Sequence, residues 1–154
     1  MRIHMFTRAA LMTALLLTPL AAPAQTTASP AETRYQPFPT IWSGVYANEE
    51  ADRGQQTAAR LCGRCHGPDL RGTSQAPRLT GAAFFDRWHD LMMLDVIAWI
   101  QSAMPGNHAF FVPAKETREV VAYMLRESGV PAGREPISTD MDVLSHLLIL
   151  RKPN

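Results

Sequence analysis

Two cysteines and a histidine stand in the segment Cys62-Gly63-Arg64-Cys65-His66, and their spacing indicates a specific chemistry. The pattern C-x-x-C-H is the attachment signature of a c-type haem. Two thiols one helical turn apart can each form a thioether bond with one haem vinyl group, and the histidine that follows can ligate the iron. The sequence therefore predicts one covalently attached haem c, held by Cys62 and Cys65, with His66 as the proximal iron ligand.

The same two cysteines permit two other interpretations, a redox pair of the thioredoxin kind and one half of a zinc site. A zinc site needs further cysteine or histidine ligands at a matching spacing, and the chain contains 2 cysteines in all. A thioredoxin-like pair needs a strand that leads into the motif, whereas residues 49–61 have a helical pattern. Both alternatives are therefore weaker than haem attachment.

The N-terminus has the features of an export signal. Arg2 and Arg8 form a basic region, residues 9–20 form an apolar stretch, and Ala22-Pro23-Ala24 offers small residues to a signal peptidase. The apolar stretch is shorter than the ~20 residues that span a bilayer. We therefore expect a signal peptide over 1–24, cleavage after Ala24, and a periplasmic protein that does not span the membrane.

Charge composition bears on the class of partner. Of the 15 basic residues, Arg2 and Arg8 would leave with the signal peptide, so 13 basic residues remain against 14 acidic ones. A net charge near zero argues against nucleic acid or an anionic membrane surface as a partner.

Apolar periodicity and turn residues predict an all-α protein with four to five helices. A flexible lead-in is expected over 25–40, one domain over 41–130, and over 131–154 an apolar tail that docks on the domain or on a partner. The predicted helices cover 48–60 with Asn48 as N-cap, 80–88 with Thr80 as N-cap, 92–103, and a last helix that Pro113 begins and Gly129 ends.

The residue that ligates the iron opposite His66 decides what a bound haem can do. Met93 and Met124 match core positions of predicted helices, whereas Met104 ends a helix and precedes Pro105-Gly106-Asn107, in a loop that could fold over a haem. Met104 is therefore the predicted sixth ligand. His108 in the same loop is the main competitor, and His89 is a weaker one.

Further residues are predicted to support the haem. A ligating histidine needs an acceptor for its other ring nitrogen, and the carbonyl of Pro77, eleven residues after His66, is the candidate. Haem propionates need hydrogen-bond donors, and Arg78, Arg87 and Trp88 are close in sequence. No residue stands out as catalytic.

At this point the chain resembles the class I cytochromes c. Cys62 to His66, the segment 76–81 (Ala-Pro-Arg-Leu-Thr-Gly) and Met104-Pro105 stand in the order of that family, and Gly54 and Tyr123 match the places where its first and last helices cross. The resemblance implies the class I cytochrome c fold, with the helices wrapped around one haem. Ala58, where a large residue is usual, and the apolar run 107–112 depart from the pattern.

More narrowly, the chain is similar to the small cytochromes and fused haem domains that accompany quinoprotein dehydrogenases, which use pyrroloquinoline quinone (PQQ). The segments that carry this likeness are 42–46, 81–84 with Trp88, 121–125 and 129–133. The resemblance implies a one-electron carrier, not an enzyme by itself, that takes electrons from a PQQ-dependent dehydrogenase and passes them to a downstream cytochrome or a terminal oxidase.

Two other functions stay open. The chain could be a haem subunit bound tightly in a dehydrogenase complex, with its tail from Pro131 as the docking element. It could also be a haem protein that binds or reduces small molecules, if Met104 does not ligate the iron. Few lysines and an apolar segment over 104–112, which includes Phe110 and Phe111, predict partner contacts through apolar surface with weak long-range steering. Burial of both phenylalanines in the core is the competing expectation.

Overall fold

A computed structural model describes residues 39–106 and 111–152, and over these ranges the protein is helical with no β-strand. A short 3-10 helix precedes six α-helices, which is more than the four to five predicted because the haem motif and the tail each form a short one. The helices are η1 (Ile41–Ser43), α1 (Asn48–Leu61), α2 (Gly63–His66), α3 (Ala82–Trp88), α4 (Met93–Ala103), α5 (Ala114–Glu127) and α6 (Met141–His146). The predicted signal peptide and nearly all of the predicted lead-in lie outside the described residues.

The prediction that Asn48 caps the first helix is wrong by one residue. Ala47 is the N-cap, with φ −92° and ψ 149°, and its side chain offers no cap hydrogen bond. Ala47 forms an isolated bridge with Gly133, whose N–H donates to the carbonyl of Tyr46 over 2.7 Å. The pairing keeps the chain extended as far as Ala47, so the helix begins at Asn48.

The other predicted helix ends differ from the structure by a residue or two. Gly81, and not Thr80, precedes α3, with a φ of 67° that suits glycine. Pro113 is the N-cap of α5 and not its first helical residue. The end of α5 agrees with prediction, because Gly129 at φ 79° lets the N–H of Val130 reach the carbonyl of Leu125 over 3.1 Å.

The closest helix packing is the crossing of α1 and α5 at Gly54. A Cβ atom built on Gly54 would lie 1.8 Å from the carbonyl oxygen of Glu119 and 3.0 Å from Cβ of Tyr123. This confirms the expected crossing of Gly54 and Tyr123, and it shows that backbone as well as the tyrosine occupies the space. At a neighbouring point Arg53 Nε donates to Glu119 Oε1 over 2.8 Å, which links the two helices electrostatically.

The tail packs against the helices with most of its apolar residues. Ile137, Leu144, Leu147 and Ile149 are buried. Residues 147–149 are extended and lie between the segment at Pro39 and the start of α4. Leu148 donates its N–H to the carbonyl of Pro39 over 2.9 Å, and the carbonyl of Leu147 accepts from the N–H of Met93 over 2.8 Å. The tail thereby holds the start of α4.

A buried carboxylate on α1 also forms a hydrogen bond with the backbone of the tail. Glu50 on α1 is buried, and its Oε2 accepts the backbone N–H of Ile137 over 2.8 Å. Burial raises the pKa of Glu50 above its usual value, and the hydrogen bond to Ile137 and the charge of Arg53 oppose this shift. The contact satisfies a buried N–H group that would otherwise be costly.

Among the described residues, no helix combines the length and the hydrophobicity that crossing a bilayer requires.

We predict that Gly54→Val will lower the free energy of unfolding by about 3 kcal/mol or more, the upper end of the usual cost of overpacking. The added side chain meets backbone atoms, so no rotamer change can relieve the contact. Equilibrium urea unfolding measures the effect. The control is Gln56→Val, which adds valine to an exposed position of the same helix. Valine is a better helix former than glycine, so an unchanged or higher stability of Gly54→Val would show that the crossing is not tight.

Candidate haem-binding site

The first long helix leads directly into the C-x-x-C-H motif. Cys62 is the C-cap of α1, and its N–H donates to the carbonyl of Ala58 over 2.8 Å. The carbonyl of Cys62 accepts from the N–H groups of Cys65 at 3.1 Å and His66 at 2.9 Å. Cys65 and His66 therefore lie on the single turn of α2, which Cys62 begins. A helix, and not a strand, precedes the cysteines, so the feature expected for a thioredoxin-like pair is missing here.

The ring of His66 contacts the backbone of Pro77. Its Nδ1 lies 2.8 Å from the Pro77 carbonyl oxygen. A carbonyl oxygen can only accept a hydrogen bond, so Nδ1 is the donor in this contact, and in the neutral ring Nε2 then has the lone pair that a metal ligand needs. The structure therefore brings together two of the predicted site residues in the arrangement that a metal-ligating histidine uses.

The loop between α2 and α3 is bonded back onto the motif. The N–H of Gly72 donates to the carbonyl of His66 over 2.8 Å, and the hydroxyl of Thr73 donates to the carbonyl of Cys65. With the Pro77 contact, the loop meets the two last residues of the motif at three points. Neither Gly72 nor Thr73 was identified from the sequence, because a glycine and a threonine in a loop carry no signal of where their backbone partners lie.

The two thiols differ in exposure and neither is in a disulfide. Cys62 is half-buried and Cys65 is exposed. Burial, with a smaller contribution from Cys65, raises the pKa of the Cys62 thiol to about 11. Redox-active C-x-x-C pairs have a thiol with a lowered pKa, so Cys62 lacks the property on which disulfide exchange depends.

Met104 is the C-cap of α4, where the chain leaves the helix in an extended conformation with φ −120° and ψ 140°. Its side chain is partly buried against the hydrophobic core, whereas Met93 is buried within that core. His108 lies outside the described residues. His89 ends α3, and its Nδ1 lies 2.8 Å from Asp90 Oδ2. Ligation by Met104 stays a prediction.

The predicted propionate donors are in different surroundings. Arg78 is exposed and directly follows Pro77. Trp88 is buried and meets Trp99 edge to face at 5.3 Å, and the guanidinium of Arg87 lies 4.9 Å from the Trp88 ring and 4.3 Å from the Trp99 ring. Trp99 was not singled out from the sequence, because it follows Trp88 by eleven residues on the next helix and this spacing does not predict a contact between the two rings.

The donor set fits a c-type haem. Two unpaired thiols flank one helical turn, and an imidazole beside them is held at Nδ1 with Nε2 available as a ligand. In the described part of the chain, no group of three or more histidine, cysteine or acidic side chains is placed to hold a metal ion by itself.

The all-α fold and the long helix that leads into C-x-x-C-H agree with the class I c-type cytochrome fold that the resemblance of the sequence implies. Comparison with protein families supports this class. Residues 49–124 match the family described as cytochrome c oxidase, cbb3-type, subunit III. The matched segment runs from the start of α1 almost to the end of α5, and it indicates a cytochrome c domain and hence a haem-binding, electron-transfer protein. Comparison with curated proteins and with solved structures gave no match.

Proposed function

We propose that the protein is a periplasmic one-electron carrier with a single haem c, bonded to Cys62 and Cys65 and ligated by His66 and Met104. When bound, the haem supplies reversible exchange of one electron between its ferric and ferrous states. The observation that carries the proposal is the 2.8 Å contact of His66 Nδ1 with Pro77 O inside a C-x-x-C-H motif. The carrier transforms no substrate, so the proposal assigns no catalytic residue.

Covalent attachment is the first test. Thioether bonds survive unfolding, so we expect the purified protein to retain its haem under denaturing electrophoresis. Cys62→Ala and Cys65→Ala should each lose most of the haem stain, because each removes one attachment bond. Met104→Ala is the control and should keep full covalent haem. If both cysteine variants retain the wild-type stain, the motif does not attach haem in this way.

Ligation by Met104 predicts a spectroscopic signature. The ferric wild-type protein should show the sulfur-to-iron charge-transfer band, and Met104→Ala should abolish it, lower the reduction potential and allow the ferrous protein to bind carbon monoxide. Met93→Ala is the matched control, since Met93 is buried in the core. Loss of the band in Met93→Ala, with Met104→Ala unchanged, would identify Met93 as the ligand, whereas a wild type without the band would favour His108. Ready carbon monoxide binding by the wild type would favour the small-molecule function.

A PQQ-dependent dehydrogenase is the proposed electron donor, and a downstream cytochrome or terminal oxidase is the proposed acceptor. The near-neutral charge of the chain without its signal supports weak electrostatic steering. Phe111 is 68% exposed, and it follows Met104 by seven residues in the sequence. This exposure supports an apolar contact surface on that segment and disagrees with burial of Phe111 in the core. Phe110 lies outside the described residues, so its place in the surface stays a prediction.

Stopped-flow reduction by the donor dehydrogenase, measured over a range of ionic strength, tests this surface. We expect a shallow salt dependence and a second-order rate that is lower in Phe111→Ser than in wild type, with an unchanged spectrum. Met141→Ser is the control, because Met141 on α6 is 61% exposed and far along the chain. A steep fall in rate with salt, together with equal rates for Phe111→Ser and Met141→Ser, would contradict an apolar docking surface.

A second candidate is a haem subunit held in a larger complex, which the family match favours because that family is described as an oxidase subunit. The haem subunit of a dehydrogenase complex, which the sequence analysis left open, is likewise a haem domain held permanently by a larger partner. The tail offers limited support for tight docking, because it buries Leu144, Leu147 and Ile149 against its own domain and exposes Met141 and Val143. Co-purification of a stoichiometric partner from the native source would select this candidate, whereas isolation of the chain alone would select the free carrier.

A further inference from the structure

We infer that Gly72 is a positioning residue for His66: the lack of a side chain at Gly72 lets the Pro77 carbonyl reach His66 Nδ1, and so adjusts the reduction potential. This inference rests on the proposed function, because it concerns the strength of His66 as an iron ligand. It adds a residue that neither the C-x-x-C-H motif nor the family match assigns.

The space around Gly72 is occupied by backbone. A Cβ atom on Gly72 would lie 2.7 Å from the nitrogen of Arg78, 3.1 Å from the carbonyl carbon of Pro77 and 3.2 Å from Cα of Arg78. Real Cβ atoms essentially never come within 3.0 Å of such a neighbour. Because all three atoms belong to the main chain, no rotamer change can relieve the contact, and the segment 77–78 must move.

The group that must move is the one that accepts the hydrogen bond from His66. The carbonyl carbon of Pro77 carries the oxygen that lies 2.8 Å from His66 Nδ1. A hydrogen bond of this kind weakens when its length exceeds about 3.2 Å. A displacement of a few tenths of an ångström is therefore enough to weaken it.

The Gly72 side of this contact is hydrogen-bonded to the motif. Gly72 donates its N–H to the His66 carbonyl over 2.8 Å, and the Thr73 hydroxyl donates to the Cys65 carbonyl. These bonds hold residues 72–73 on the backbone of the motif itself. A side chain at Gly72 would therefore push residues 77–78 away from the motif. This displacement would lengthen the hydrogen bond between His66 Nδ1 and the Pro77 carbonyl oxygen.

The hydrogen bond affects the electronic character of the imidazole. A proton on Nδ1 that is shared with a carbonyl oxygen makes Nε2 a stronger electron donor, which favours ferric over ferrous iron. Weakening the bond should therefore shift the equilibrium toward the ferrous state and raise the potential. Mutation of such a supporting partner typically costs about 10–100-fold in metal affinity or activity, and we expect an effect on the ferric–ferrous equilibrium at the lower end of that range.

The chain offers a matched control for the backbone strain at Gly72. Gly72 has φ +86° and Gly129 has φ +79°, so an alanine at either position is held at a positive φ that side-chain-bearing residues rarely adopt. A Cβ atom on Gly129 would have no atom within 4 Å, however. A difference between Gly72→Ala and Gly129→Ala therefore reports the contacts of the added Cβ atom beyond the cost of a positive φ.

The experiment compares the reduction potentials of haem-loaded wild type, Gly72→Ala and Gly129→Ala, with exchange of the His66 Nδ1 proton in ferrous protein, followed by NMR, as a second readout. We expect Gly72→Ala to shift the ferric–ferrous equilibrium about tenfold toward ferrous, which is about 59 mV for a one-electron couple, and to exchange the proton faster. Gly129→Ala should match the wild type in both readouts. Equal potentials and exchange rates in the two variants would overturn the inference.

A second variant keeps the inference testable if Gly72→Ala does not mature. Thr73→Val adds no bulk but removes the bond to the Cys65 carbonyl and the bond that the hydroxyl accepts from the Gln75 N–H. It loosens the attachment of residues 72–73 to the motif, so we expect a smaller shift in the same direction, and an unchanged potential would contradict a role of this segment in positioning the Pro77 carbonyl. The haem stain of the wild type distinguishes a failure of the proposed attachment from a failure of the role of Gly72. Its loss on denaturing gels would contradict the proposed attachment, whereas retained stain with unmoved potentials would contradict the role of Gly72 alone.

Discussion

The approach of α1 to α5 at Gly54 is the constraint on which the placement of the motif depends. The backbone oxygen of Glu119 occupies the space of a side chain at Gly54, so the two helices can meet only where one of them carries glycine. The ion pair of Arg53 with Glu119 lies beside this point. Because α1 ends at Leu61 and Cys62 follows it, the crossing also sets where the two cysteines lie relative to α5.

A second close approach, at Gly72, repeats this physical principle on a smaller scale. In both places a missing side chain allows a backbone carbonyl to come near, and the nearby contact is polar: an ion pair at the crossing, and a hydrogen bond to His66 in the loop. The loop has no regular secondary structure, yet its hydrogen bonds to Cys65 and His66 join it to the motif. The loop is therefore held in place by hydrogen bonds to the same motif whose histidine it contacts through Pro77.

The tail has a structural role that composition alone did not specify. Its extended residues pair with the segments at Pro39 and Met93, and its upstream part is bound to Glu50. It therefore connects the start of α4 to α1, while the other end of α4 carries Met104. An apolar C-terminal segment of this kind could equally have served a partner. Here most of its apolar surface is already used within the domain, and Met141 and Val143 are what it leaves exposed.

The sequence by itself determined the all-α class and, to within about a residue at each end, the extent of α1, α4 and α5, and it singled out Cys62 to His66 as the motif. Apolar periodicity and residue spacing are local properties, so the sequence alone carries them. Only the tertiary structure decided that Ala47 and Gly81 precede their helices, that the tail lies on its own domain, and that Gly72 and Thr73 bond to the motif. Each of these depends on backbone atoms that are distant in the sequence or held by a loop. Residue type does not encode such proximity, because many residues carry an N–H or hydroxyl donor and the fold decides which of them comes near a given carbonyl.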